Sequence, residues 1–150
     1  MTPSRRALAV LLPAACGARL LAPCAARAAD PEARAVAGGT LVQLGALGSV
    51  AVLLRGAARG RQQSVYEGMR LPGPPVALVA DRWLVGWGSE GDRGLFMAFD
   101  AEGERLYLML LVDGGPIYLA PPRVAVWPEE LAEPFHRFAP GLERGPRFTD

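Results

Sequence analysis

From Thr40 onward the apolar residues of this chain fall into short runs separated by turn-forming residues. That spacing predicts strands rather than long amphipathic helices. The runs are Thr40–Leu44, Ser49–Leu54, Gln63–Arg70, Val76–Ala80, Arg82–Trp87, Leu95–Phe99, Arg105–Val112, Ile117–Ala120 and Arg123–Trp127. With no crossover helix apparent between them, consecutive strands are expected to pair antiparallel.

Two joints are read from local chemistry. In Phe99-Asp100-Ala101-Glu102-Gly103-Glu104-Arg105, Asp100 is placed to cap the turn and Gly103 to take a positive φ. Val112-Asp113-Gly114-Gly115-Pro116 offers a second tight reversal, because Asp-Gly and Gly-Gly tolerate left-handed backbone. Together they predict a meander from Arg82 to Ala120, with Gly88 to Gly94 as its longest internal loop.

The strand at Arg105–Val112 is apolar on both faces. Leu106, Leu108, Leu110 and Val112 lie on one, and Tyr107, Met109 and Leu111 on the other. Such a strand sits centrally with something packed on each side, or presents its second face as a binding surface. Trp83, Val85 and Trp87 likewise share a face, with Leu84 opposite. The expected class is all-β: a small antiparallel β-sandwich or a partly open β-barrel.

After Trp127 the pattern changes. Pro128 suits a first helical position, Glu129 and Glu130 complement a helix start, and Leu131, Phe135 and Phe138 follow i, i+4, i+7. A short C-terminal helix is expected, limited by Pro134. Asp30–Gly39 reads as a linker or a short helical turn, 40–140 as one β domain, and 141–150 as a frayed tail.

The first 28 residues change this picture. Arg5 and Arg6 begin a positively charged segment, Ala7 to Pro23 is rich in Ala and Leu, and Ala26-Arg27-Ala28 is a small-x-small cleavage pattern. The segment reads as an export signal cut near Ala28, and the expected destination is the periplasm or the exterior. Ser4-Arg5-Arg6-Ala7-Leu8 fits the start of a twin-arginine signal, and an ordinary export signal fits as well. Arg19, Pro13 and Pro23 argue against a retained transmembrane anchor.

Removal of that segment takes both cysteines, Cys16 and Cys24, and four of the 16 basic residues. It leaves 12 basic against 15 acidic groups. A mildly acidic remainder offers no electrostatic footprint for nucleic acid. It also has no disulfide, thiol nucleophile or thiolate ligand. The chain lacks lysine and asparagine altogether, as GC-rich codons favour, so arginine at any one position says little by itself.

Candidate chemistry is sparse. The single histidine, His136, cannot make a zinc site without other ligands, and no cofactor or metal motif is present. Ser49, Ser64 and Ser89 lie in no nucleophile elbow. Among carboxylates, Glu67 interrupts the apolar series Val65, Met69, and with Asp81 it is the candidate acid–base pair, alongside Asp100 and Asp113. Trp83, Trp87 and Tyr107, with Tyr118, could form a stacking platform or fill the core. Arg55, Arg59 and Arg61 could meet an anionic partner or form a solvated hairpin tip.

Three functions are compatible with these residues. The first is an exported, non-catalytic β domain that binds another envelope protein or a cell-wall polymer through an aromatic sheet face or edge. The second is a small envelope hydrolase using a carboxylate pair. The third is a lipid or small-ligand carrier with an apolar barrel interior.

Overall fold

The computed structural model describes residues 31–142 and 145–149. Residues 1–28, the expected signal segment, lie outside that span together with both cysteines. At the centre is a five-stranded antiparallel sheet whose order follows the chain: β1 (Ala77–Val79), β2 (Trp83–Glu90), β3 (Arg93–Asp100), β4 (Arg105–Val112) and β5 (Gly115–Ala120). The meander inferred from the turns is thus the body of the fold.

Two details of its turns differ from expectation. β2 and β3 pair along their whole length, from Trp83 opposite Asp100 to Glu90 opposite Arg93. The supposed loop from Gly88 to Gly94 therefore shrinks to Gly91 and Asp92, because polar residues at a hairpin tip stay in the ladder while facing solvent. In the β3–β4 turn, Glu104 rather than Gly103 takes the positive φ, at 49°. Gly103 is needed for another reason: a Cβ there would lie 2.5 Å from Asp100 Oδ2. The β4–β5 turn behaves as read, with Asp113 and Gly114 at φ of 50° and 72°.

The larger correction lies before the sheet. Three runs expected as strands are helices: α2 (Leu41–Ala46), α3 (Gly48–Ala57) and α4 (Gln62–Gly68), preceded by a short α1 (Pro31–Ala35). Thr40 starts α2 with a capping box: its Oγ1 accepts the Gln43 N–H at 3.2 Å, and its own N–H donates to Gln43 Oε1 at 2.7 Å. In α3, Val50 and Leu54 are buried at i, i+4; in α4, Val65 and Gly68 are buried at i, i+3. Short apolar runs satisfy either period, and here Ala, Leu and Gln tip the balance toward helix.

These helices cover one face of the sheet. Leu41, Leu44, Val50, Leu54 and Val65 pack on Leu84, Leu95, Met97, Phe99, Leu106 and Leu108 in an aliphatic core. The opposite face is aromatic. There Trp83, Val85, Phe96, Ala98, Tyr107 and Met109 meet Trp127, Leu131, Phe135 and Phe138. The last four come from β6 (Val126–Trp127), a 3-10 turn (Glu129–Leu131) and α5 (Ala132–Phe138), the short helix expected after Pro128. The two-sided strand at Arg105–Val112 is therefore central and covered on both faces. The tail after Gly141 does not simply fray, since β7 (Arg147–Phe148) pairs in parallel with β6.

The architecture is accordingly an open antiparallel sheet between a helical layer and an aromatic layer. β1 and β5 are its edges, and among the described residues the sheet neither closes on itself nor stacks on a second large sheet.

Candidate functional site

The carboxylate most deeply buried among the described residues is Asp100, at 1% exposure. Arg82, just before β2, holds it through a fork: Nε donates to Oδ1 at 2.8 Å and Nη2 to Oδ2 at 2.6 Å. The backbone N–H groups of Glu102 and Gly103 donate to Oδ1 at 3.1 and 3.0 Å. Burial pushes the Asp100 carboxyl up, but the bonds from Arg82 and the two amides outweigh it and hold the group below its ordinary value. The same bond to Asp100 keeps Arg82 protonated, and its guanidinium carbon lies 4.9 Å from the centre of the Trp83 ring. Every acceptor in this cluster faces a donor from its own turn or from Arg82, so it works as a latch across the hairpin ends.

The candidate acid–base pair does not come together. Glu67 is on α4, 45% exposed, and pairs with Arg93 Nη2 at 3.0 Å. Its pKa is lowered, chiefly by the hydrogen bond from Gln63 and further by Arg93. Asp81 is exposed in the β1–β2 turn with φ of 52°. Glu67 is tied to the start of β3, whereas Asp81 adjoins Arg82, which is bonded to the end of β3. Seven residue steps at strand rise put those ends about 23 Å apart, too far to share a substrate bond.

The aromatic platform is mostly covered. Trp83 is 2% exposed and meets Tyr107 edge-to-face at 5.5 Å, while Tyr107 also abuts Trp127 at 5.3 Å beneath α5. Trp87, further along β2, is only half-buried and stacks on Phe96 at 6.4 Å. Arg55, Arg59 and Arg61 are exposed as expected, but on the corner between α3 and α4 rather than on a hairpin tip. His136 is exposed near Phe148. No group of three His, Cys, Asp or Glu side chains among the described residues could hold a metal.

A groove of about 500 Å³ runs beside Trp87. β1 pairs with β2 only as far as Val85, so the next stretch of the β2 edge is open to other chain. The Pro72-Gly73-Pro74-Pro75 segment fills part of that space, its Pro72 carbonyl accepting the Ser89 N–H at 2.9 Å. Three prolines hold this segment extended and leave few backbone donors. Across from it, Gly38 and Gly39 bond to Val76 and lead into Thr40 and α2. The groove is thus lined by Trp87, the proline segment, Gly39, Thr40, Leu41 and Met69, with Arg70 as its charged side chain. In the sequence Trp87 stands out as a candidate while Pro72–Pro75 carries no side-chain chemistry, although a Pro-Gly-Pro-Pro string is itself a sign of extended, exposed backbone.

Compared with models of known protein families, with characterised proteins and with solved structures, the chain matches none of them. Among the described residues no helix is long and apolar enough to cross a membrane.

Proposed function

We propose that this chain is an exported, non-catalytic binding domain of the cell envelope, and that its ligand lies in the groove beside Trp87. The observation that carries this reading is the groove's lining: Trp87 on the open β2 edge, a rigid proline wall and Arg70, with no Asp, Glu, His or Cys among its residues. Such a surface shapes and orients an extended ligand. A segment of another envelope protein or a strand of wall polymer has that form, and Arg70 would anchor a carboxylate on either. The separation of Glu67 from Asp81 supports binding over hydrolysis. The signal-like pattern of residues 1–28 supports a destination in the periplasm or outside the cell.

Retention of the full-length chain on isolated wall sacculi and on immobilised envelope proteins tests this. Arg70→Glu and Trp87→Ala are each expected to lower retention at least tenfold, the magnitude of a lost anchor. Because Trp87 also packs on Phe96, Arg70→Glu is the cleaner variant. Full retention by both variants would remove the groove as the site, and no retention on either material would remove the function.

A further inference from the structure

The helical layer is chemically unlike the rest of the molecule. Between Leu41 and Pro75 the charged side chains are Arg55, Arg59, Arg61, Glu67 and Arg70, four cations to one anion, and that anion is already paired with Arg93. From Val76 to Thr149 the balance reverses, with eleven carboxylates against seven arginines. Arg55, Arg59 and Arg61 are exposed and make no ion pair among the described residues; Arg55 donates only to its own helix, at the Ala51 carbonyl.

Exposed apolar groups gather on the same layer. Val42, Val52 and Tyr66, three of the five large apolar side chains exposed among the described residues, belong to α2, α3 and α4. Val52 is 61% exposed and Tyr66 45%. On α3, Val52 and Arg55 lie on the side opposite Val50 and Leu54, which are the residues buried against the sheet. Since all three helices pack on the same sheet face, their outer sides point the same way.

We infer that this outer face docks on an anionic phospholipid bilayer, with Arg55, Arg59 and Arg61 on headgroup phosphates and Val52 and Tyr66 at the acyl boundary. A bilayer surface meets both halves of the pattern: phosphate answers unpaired guanidinium groups, and the interfacial zone takes up isolated aliphatic and aromatic side chains. An acidic protein surface, including the carboxylate-rich side of a second copy, answers the charges alone.

The test is co-sedimentation of the full-length chain with vesicles of phosphatidylcholine alone or mixed with phosphatidylglycerol. The N-terminal segment is identical in every variant, so its own membrane affinity cancels in the comparison. The triple variant Arg55→Glu, Arg59→Glu, Arg61→Glu is expected to lose on the order of 100-fold in affinity for anionic vesicles. Val52→Ser should lose about tenfold, as for withdrawal of one aliphatic side chain from an apolar zone. High salt, near 1 M, where screening acts over about 3 Å, should weaken the wild type far more than the triple variant. Circular dichroism spectra matching that of the wild type are the control that the exposed substitutions leave the fold intact. Equal binding by the wild type and the triple variant overturns the inference. So does a lipid-independent dimer of the wild type that the triple variant abolishes, which would assign the face to self-association.

Discussion

The two faces of the sheet are built from different materials. On the helical side the core is aliphatic, almost wholly Leu, Val and Met with Phe99. On the other side it is aromatic: Phe96 is ringed by Trp87, Trp127, Phe135 and Phe138 at centroid distances of 5.4 to 6.4 Å. The difference shows in how polar atoms are treated. The indole Nε1 groups of Trp83 and Trp127 are buried with no hydrogen-bond acceptor, the one such pair among the described residues. Each costs about 1–3 kcal/mol relative to a satisfied donor. Edge-to-face contacts offset part of that, as between Trp83 and Tyr107 at 78° or Trp127 and Phe135 at 75°. An aliphatic face tolerates repacking; a ring cluster with two orphan donors holds its geometry more strictly and at lower net gain per side chain.

The comparison can be broken by matched truncations. Trp127→Ala is expected to cost about 3–5 kcal/mol and Leu108→Ala about 2–5 kcal/mol in urea unfolding. The sharper distinction is in coupling. Trp127 and Phe135 should show about 0.5–1.5 kcal/mol of interaction in a double-mutant cycle. An uncoupled Trp127–Phe135 pair would mean that the rings merely occupy volume.

The latch between Arg82 and Asp100 gives the next effect. Arg82→Leu leaves a buried carboxylate without its cation and is expected to cost about 3 kcal/mol. Asp100→Asn should cost less, because Arg82 is 40% exposed and can turn to water. Since the folded state lowers the Asp100 pKa, the unfolded chain binds the proton first as pH falls. The latch therefore contributes its full stability above the unfolded value near 3.8 and loses it as pH drops through the folded value. Thermal unfolding followed from neutral pH to below 3 should show a steeper acid loss in the wild type than in Asp100→Asn. Parallel curves would assign the acid sensitivity to other groups.

The smallest effect belongs to neither face and sets the background. Ala80 in the β1–β2 turn sits at φ of 51°, where a Cβ is strained. Ala80→Gly should raise stability by about 1 kcal/mol, and a loss would mean that the turn does not hold that conformation.

How much of this was legible in the chain differs by face. The meander, the places of the β3–β4 and β4–β5 turns and the docking stripe Leu131, Phe135, Phe138 are legible because turn chemistry and helix spacing are local. Asp100 was readable as a turn cap, but its fork with Arg82 joins positions 18 residues apart and needed the β2–β3 register. The helical layer was misread because Val50 to Leu54 is one unbroken apolar run, which fits a buried strand as well as a short helix. A stronger reading was available in Thr40-Leu41-Val42-Gln43, whose cap spacing marks a helix start. From sequence Trp83 and Tyr107 fit a platform or the core equally, and only the third dimension shows α5 lying over them. The groove escaped because its wall is a proline string with no side-chain chemistry.

The unbroken neighbour order of the sheet has a consequence for how the molecule assembles. Each strand from β2 to β5 pairs with the one made just before it, so every ladder closes across a turn of a few residues and little chain entropy is lost at each step. The tail is different. Thr149 reaches back 22 residues to the Trp127 carbonyl, and Glu129 donates its N–H to Thr149 Oγ1 across 20. The sheet can thus zip together from local pieces, while the aromatic side is sealed when residues 147–149 arrive, making the C-terminal end the closing stitch of the fold.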